Sequence, residues 1–151
     1  MRFLLFYILL FLNLNLSAQI KIDVVGDNWV SQVEQSIQLI KNTDSQKYHL
    51  LEKYCKRISF WSGKYSSVEG NDMIVISLSD MNLNSIENLS ATLVHESKHL
   101  EIINNSSVMD EKTEECVCYN YELEFLLKLQ KCPSFLIENC KKMIEIYCGF
   151  F

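Results

Sequence analysis

The stretch Leu93-Val94-His95-Glu96-Ser97-Lys98-His99-Leu100 decides how this chain is read. His95 and His99 stand four residues apart, so on a helix both imidazoles lie on one face, about a turn from each other. That spacing lets both rings reach one tetrahedral Zn2+. Glu96 falls about 100° round the helix from His95. It is near such a metal without needing to ligate it, where a carboxylate can take a proton from an attacking water and pass it to a leaving amine. The flanks predict the helix itself. Asn84 is a good N-cap with Glu87 as its capping-box partner. Ile86, Leu89, Leu93 and Leu100 form an apolar stripe running to about Ile103, roughly opposite the two histidines, which suits a ligand face opposed to a core face. Asn104 and Asn105 can end the helix, since Asn tolerates the left-handed conformation.

Upstream, Met73-Ile74-Val75-Ile76-Ser77-Leu78 reads as the clearest strand, and as an edge-like one. Gln19 to Val25 is a short β-like run ended by Gly26-Asp27-Asn28. Asp27 or Asn28 can cap a helix whose Trp29, Val30, Val33, Ile37 and Ile40 repeat at helical spacing. Asn42 to Ser45 breaks it. Tyr48, Leu51, Cys55 and Ile58 continue at helical steps, and Gly63 to Gly70 is polar and loop-like. Downstream, Asp110 caps a helix carrying Cys116, Val117, Tyr121, Phe125 and Leu126. Lys131-Cys132-Pro133 interrupts. Ser134 or Cys132 caps a last helix that stops at Gly149. The sum is an α+β domain, mostly helical, with a small sheet of two or three short strands packed on the helix of the motif.

A catalytic zinc needs a third protein ligand. The longer metzincin motif requires Gly three residues past the second His and a further His beyond. Ile102 stands there, and no His follows His99. The remaining candidates are His49 upstream and Glu111, Glu114, Glu115, Glu122 and Glu124 on the next helix.

Here the chain resembles the gluzincin class of zinc metallopeptidases, in which a Glu on a second helix completes the site. In many small members that helix reads Glu-x-x-small-aromatic. Glu115-Cys116-Val117-Cys118-Tyr119-Asn120-Tyr121-Glu122 is similar, with Cys118 at the small position. The resemblance spans roughly Met73 to Leu129. It implies a zincin-like domain, Glu115 as third ligand with Glu114 and Glu122 as fallbacks, Glu96 as general base and acid, and a polypeptide substrate. It further implies that Tyr119 or Tyr121 steadies an oxyanion and that the Ile74–Leu78 strand takes an extended peptide by edge addition. Cys118, a turn beyond Glu115, is a further candidate ligand.

Bulk properties fit one domain outside the reducing cytoplasm. The chain has 151 residues, 48% of them hydrophobic, with one Pro and four Gly. Met1-Arg2 followed by the apolar run Phe3 to Leu12 reads as a signal peptide, 1–18, cleaved after Ala18. The mature chain, 19–151, then has no stable membrane span, and its location is secreted or periplasmic. The full chain's formal charge of −5 becomes more negative once Arg2 is removed, and no Lys/Arg cluster exists to bind nucleic acid. All six cysteines remain, which favours disulfides. If the last two helices form an antiparallel hairpin turning near Cys132, the equidistant Cys116 and Cys148 face each other and pair. The alternative function is a non-catalytic secreted metal-binding or disulfide-stapled interaction module.

Overall fold

A computed structural model describes residues 20–23, 27–81 and 85–149. The proposed signal peptide, 1–18, lies outside the described residues. The chain runs β1 (Lys21–Ile22), α1 (Asp27–Thr43), α2 (Ser45–Tyr54), β2 (Arg57–Trp61), β3 (Ser67–Glu69), β4 (Met73–Ser77), the single turn α3 (Leu78–Met81), α4 (Ile86–Asn104), α5 (Glu111–Leu126) and α6 (Ser134–Cys148). This is an α+β domain in which helix dominates.

The sheet departs from expectation in size and order. It has four strands in the order β1-β2-β4-β3, with β1, β2 and β4 mutually parallel and β3 antiparallel to β4. Ile58, which sequence spacing assigned to a helix, lies on β2 opposite Ile74. The helix stops earlier because Cys55 turns extended (φ −85°, ψ 118°), and the β-branched and aromatic run Ile58, Phe60, Trp61 pairs between two strands instead. The polar segment after Gly63 supplies β3. Gly70, at φ 64°, makes the left-handed turn that returns the chain antiparallel, with Glu69 opposite Met73. β4 is therefore an interior strand. Peptide addition to its edge is ruled out, since β2 and β3 occupy both sides of it.

The caps show how local chemistry sets the helix bounds. Asp44 caps α2 by accepting from the amides of Gln46 and Lys47 at 3.1 and 3.2 Å. Ser85, rather than Asn84, caps α4 by accepting from Asn88 N at 3.2 Å, and its hydroxyl also donates to Glu87. Asp110 caps α5 as expected from sequence, accepting from Thr113 N at 3.1 Å. After α4 the left-handed residue is Ser106 (φ 53°), not an Asn. Pro133 holds the N-cap of α6 with no side-chain cap bond, in place of Ser134 or Cys132.

The helix of the motif, α4, is buried nearly all round rather than along one stripe. Leu89, Leu93, Val94 and Leu100 join Val33, Ile40, Leu51, Ile58, Ile74, Ile76 and Phe125 in the main core. Full burial of each such side chain contributes about 1.5–3 kcal/mol. Small residues let α1 approach closely: Ser90 Oγ donates to Ser36 O at 3.1 Å and to Ile86 O at 2.7 Å. On the other flank α5 and α6 close a second cluster around Ala91, Leu126, Leu136, Cys140 and Ile144. No helix among the described residues is long and apolar enough to cross a membrane.

Candidate metal centre

Two helices build the site. From α4 come His95, Glu96 and His99. From α5 come Glu111, Glu115, Cys118 and Glu122, which recur at steps of four, three and four and so form one stripe turned toward α4. The same stripe continues to Phe125, which is fully buried in the main core.

The donor atoms converge. His95 Nε2 and His99 Nε2 lie 3.2 Å apart. The Glu115 carboxylate spans them, with Oε2 at 3.3 Å from His95 Nε2 and Oε1 at 3.5 Å from His99 Nε2. Ligands held tetrahedrally at about 2.0–2.1 Å from zinc are about 3.3–3.4 Å from one another. The three separations match that figure, so the residues present fit a zinc ion. The outer nitrogens are held as well: His95 Nδ1 is 3.0 Å from Glu122 Oε2 and His99 Nδ1 is 2.6 Å from Glu114 Oε1. Donating Nδ1–H to a carboxylate leaves the Nε2 lone pair of each ring aimed at the common centre. Glu114 and Glu122, fallback ligands by sequence, thus occupy the outer side of the rings, while Glu115 stands on the inner side.

Electrostatics follow from this packing. Burial opposes charge on His95, but Glu115 and Glu122 outweigh it and raise its pKa. His99 is raised in the same way, against burial, by Glu115 and Glu114. The Glu115 carboxyl, which burial alone would raise, is held down at about 2 by the two imidazoles. A cation among the three donors would take the place of the imidazole protons. Glu96 is different. It is only 6% exposed, and burial lifts its pKa above the usual carboxylate value despite the pull of the two histidines.

The centre forms the floor of a cleft of about 640 Å³, whose lining includes His95, Glu96, His99, Glu111, Glu115, Glu122 and Thr92. Tyr65, Ser66, Ser67 and Val68 from β3 and the loop before it form one wall, and Tyr119, Met143 and Tyr147 another. The β3 wall is pinned locally. Gly63 lies so close beneath Trp61 that a Cβ would sit 2.2 Å from the indole, and its carbonyl accepts from Ser77 Oγ at 2.6 Å.

Other expected residues fall into place or out of it. Tyr119 lines the cleft, its ring edge-on to His95 with centroids 4.4 Å apart and stacked on Tyr147 at 5.7 Å. Tyr121 does not reach the cleft. Its ring lies under Lys47 Nζ at 3.2 Å and packs against the main core, so a role for it on an oxyanion is corrected. His49 is exposed and faces Glu52, and Glu124 pairs with Lys47 at 3.1 Å; neither reaches the centre. Cys116 and Cys148 are disulfide-bonded, Cα–Cα 5.0 Å. Cys118 is a buried free thiol, and its sulfur lies within 4.8 Å of a ring nitrogen of each histidine. Glu114 and Glu122 were candidates from sequence as ligands rather than as partners of the outer ring nitrogens, and the Tyr147 and Tyr65 walls carried no sequence signal.

Comparison with protein-family models, with curated proteins and with solved structures gives no match.

Proposed function

We propose that this chain is a secreted or periplasmic zinc-dependent metallopeptidase with a zincin-like centre, His95, His99 and Glu115 holding the metal. The observation that carries this reading is that His95 Nε2 and His99 Nε2, 3.2 Å apart, face the two oxygens of the Glu115 carboxylate at 3.3 and 3.5 Å, in the helix context that the motif requires. Zinc bound there supplies Lewis acidity, polarising a carbonyl and making a water more acidic.

The remaining chemistry belongs to the chain. Glu96, buried beside the ligands, accepts a proton from the attacking water and delivers it to the departing amine. Its raised pKa favours holding that proton between the two steps. Tyr119, against His95, is the residue placed to donate to the developing oxyanion. The substrate lies along β3, which has one strand partner among the described residues and lines the cleft. Export belongs to the same reading, supported by the apolar run Phe3 to Leu12 and by the Cys116–Cys148 disulfide.

The test is elemental analysis of the oxidised protein together with a fluorogenic peptide assay. About one zinc per chain, lost in His99→Ala, is expected. Glu96→Gln should keep zinc and lose about 10²–10⁴-fold in kcat. Zinc without hydrolysis of any peptide would favour a non-catalytic metal-binding module. No zinc at all would leave a disulfide-stapled interaction module.

A further inference from the structure

Four cysteines are free among the described residues. Three of them donate to a backbone carbonyl: Cys55 to Arg57 O at 3.3 Å, Cys132 to Pro133 O at 3.6 Å and Cys140 to Tyr119 O at 3.2 Å. Cys118 has no hydrogen bond to any described residue, although it is 0% exposed. It belongs to the α5 stripe that faces α4, one turn beyond Glu115. Its sulfur and one nitrogen from each of His95 and His99 all lie within 4.8 Å of one another. A fully buried, unpartnered thiol is thus aimed at the two imidazoles from the helix that also supplies the carboxylate.

We infer that Cys118 is a reserve ligand of this centre: a thiophilic cation such as Cd2+ is held by His95, His99 and the Cys118 sulfur, with sulfur replacing the Glu115 carboxylate. The inference rests on the reading of His95 and His99 as metal ligands. Hard and borderline cations accept carboxylate oxygen, whereas soft ones select thiolate. The S–H bond breaks as the cation–sulfur bond forms, and its proton passes to solvent. No oxidation state changes. Because Glu115 and Cys118 stand a turn apart on α5, a small shift of the cation along that helix exchanges one donor for the other. With sulfur in place of the carboxylate the cation keeps three protein donors, so the change is one of donor type and the fourth position stays open.

The experiment titrates Cd2+ into the oxidised full chain, followed by sulfur-to-cadmium charge-transfer absorption in the ultraviolet and by 113Cd resonance position. One equivalent should give the sulfur band and a resonance in the range of mixed nitrogen and sulfur ligation. Cys118→Ser should lose the band while zinc stoichiometry stays at about one per chain, His99→Ala should lose it too, and Cys132→Ser should retain it. The band surviving in Cys118→Ser overturns the inference, as does a wild-type resonance typical of oxygen and nitrogen ligands alone. The second measurement needs no variant, so a Cys118→Ser protein that fails to fold does not protect the idea. A chain that binds zinc and cleaves peptide but binds Cd2+ without sulfur sinks this inference only. A chain that binds neither ion sinks the peptidase reading with it.

Discussion

Glu114 holds the Nδ1 of His99 at 2.6 Å, on the side of the ring turned away from its neighbour Glu115. Adjacent residues on α5 therefore grip one imidazole from two sides. Outer partners of this kind fix ring orientation and raise ligand basicity. Glu114→Gln and Glu122→Gln should each weaken zinc about 10–100-fold, read by competition with a chromogenic chelator. Glu124→Gln, whose carboxylate faces Lys47 instead, should leave affinity unchanged. Wild-type affinity in Glu114→Gln would reduce the contact to an ordinary ion pair.

The disulfide joins positions next to the cleft. Cys116 follows Glu115, and Cys148 follows Tyr147, whose ring stacks on Tyr119. Closing a loop across this sequence separation of 32 stabilises by roughly 3.5–4 kcal/mol. The paired variant Cys116→Ser with Cys148→Ser should lose about that much in urea unfolding and also bind zinc more weakly. An unchanged midpoint would show that the α5–α6 contact holds the hairpin without the bond.

Tyr119 offers a clean separation of roles. Burial, reinforced by nearby carboxylates, pushes its hydroxyl pKa up, so the group stays a proton donor at any working pH. Tyr119→Phe keeps the ring against His95 and removes only the donor. It should lower kcat by about 10²-fold with zinc retained. Equal kcat in both proteins would leave Tyr119 as a packing residue.

Asp44 should contribute to acid sensitivity away from the metal centre. Burial works to raise its pKa, but the Lys128 ammonium at 2.6 Å and the capped amides outweigh burial, and the net shift is downward. The unfolded chain binds this proton more tightly than the folded one. Its stabilisation is therefore present above the ordinary carboxylate value near about 4 and is lost as pH falls through the lowered folded value. Asp44→Ala should cost about 1–2 kcal/mol at neutral pH through the lost cap. It should also flatten the acid limb of the stability curve, measured by chemical unfolding between neutral and strongly acid pH. A parallel acid limb in the variant would assign it to other carboxylates.

How far the sequence could be read depended on whether the signal was local. His95, Glu96 and His99 carry theirs in four-residue spacing, and Asp110 in a cap, so the motif helix and the start of α5 were legible. Ile58 was not, because a residue four positions past the last of a helix still falls at helical spacing, and only pairing with Ile74 makes it a strand. Ser67–Glu69 is polar and short, and becomes β-structure only because Gly70 folds it onto β4. Tyr121 sits two residues from Tyr119, a step that turns it about 200° round the helix and into the reach of Lys47. The outer carboxylates are a property of the docked helix pair, which one helix alone does not reveal.

The stripe on α5 has a consequence for folding as well as chemistry. Glu115 and Glu122, which grip the imidazoles, share their helical face with Phe125, which fills the main core. Rotating α5 by a single residue would withdraw all of them together. The centre thus acts as a gauge of whether the C-terminal hairpin has docked in register, and any ion that prefers the docked form reports on assembly. Saturation at about a thousandfold over Kd would add about 4 kcal/mol to the folded state, so occupancy of the centre and integrity of the helical half of the domain should rise and fall as one quantity.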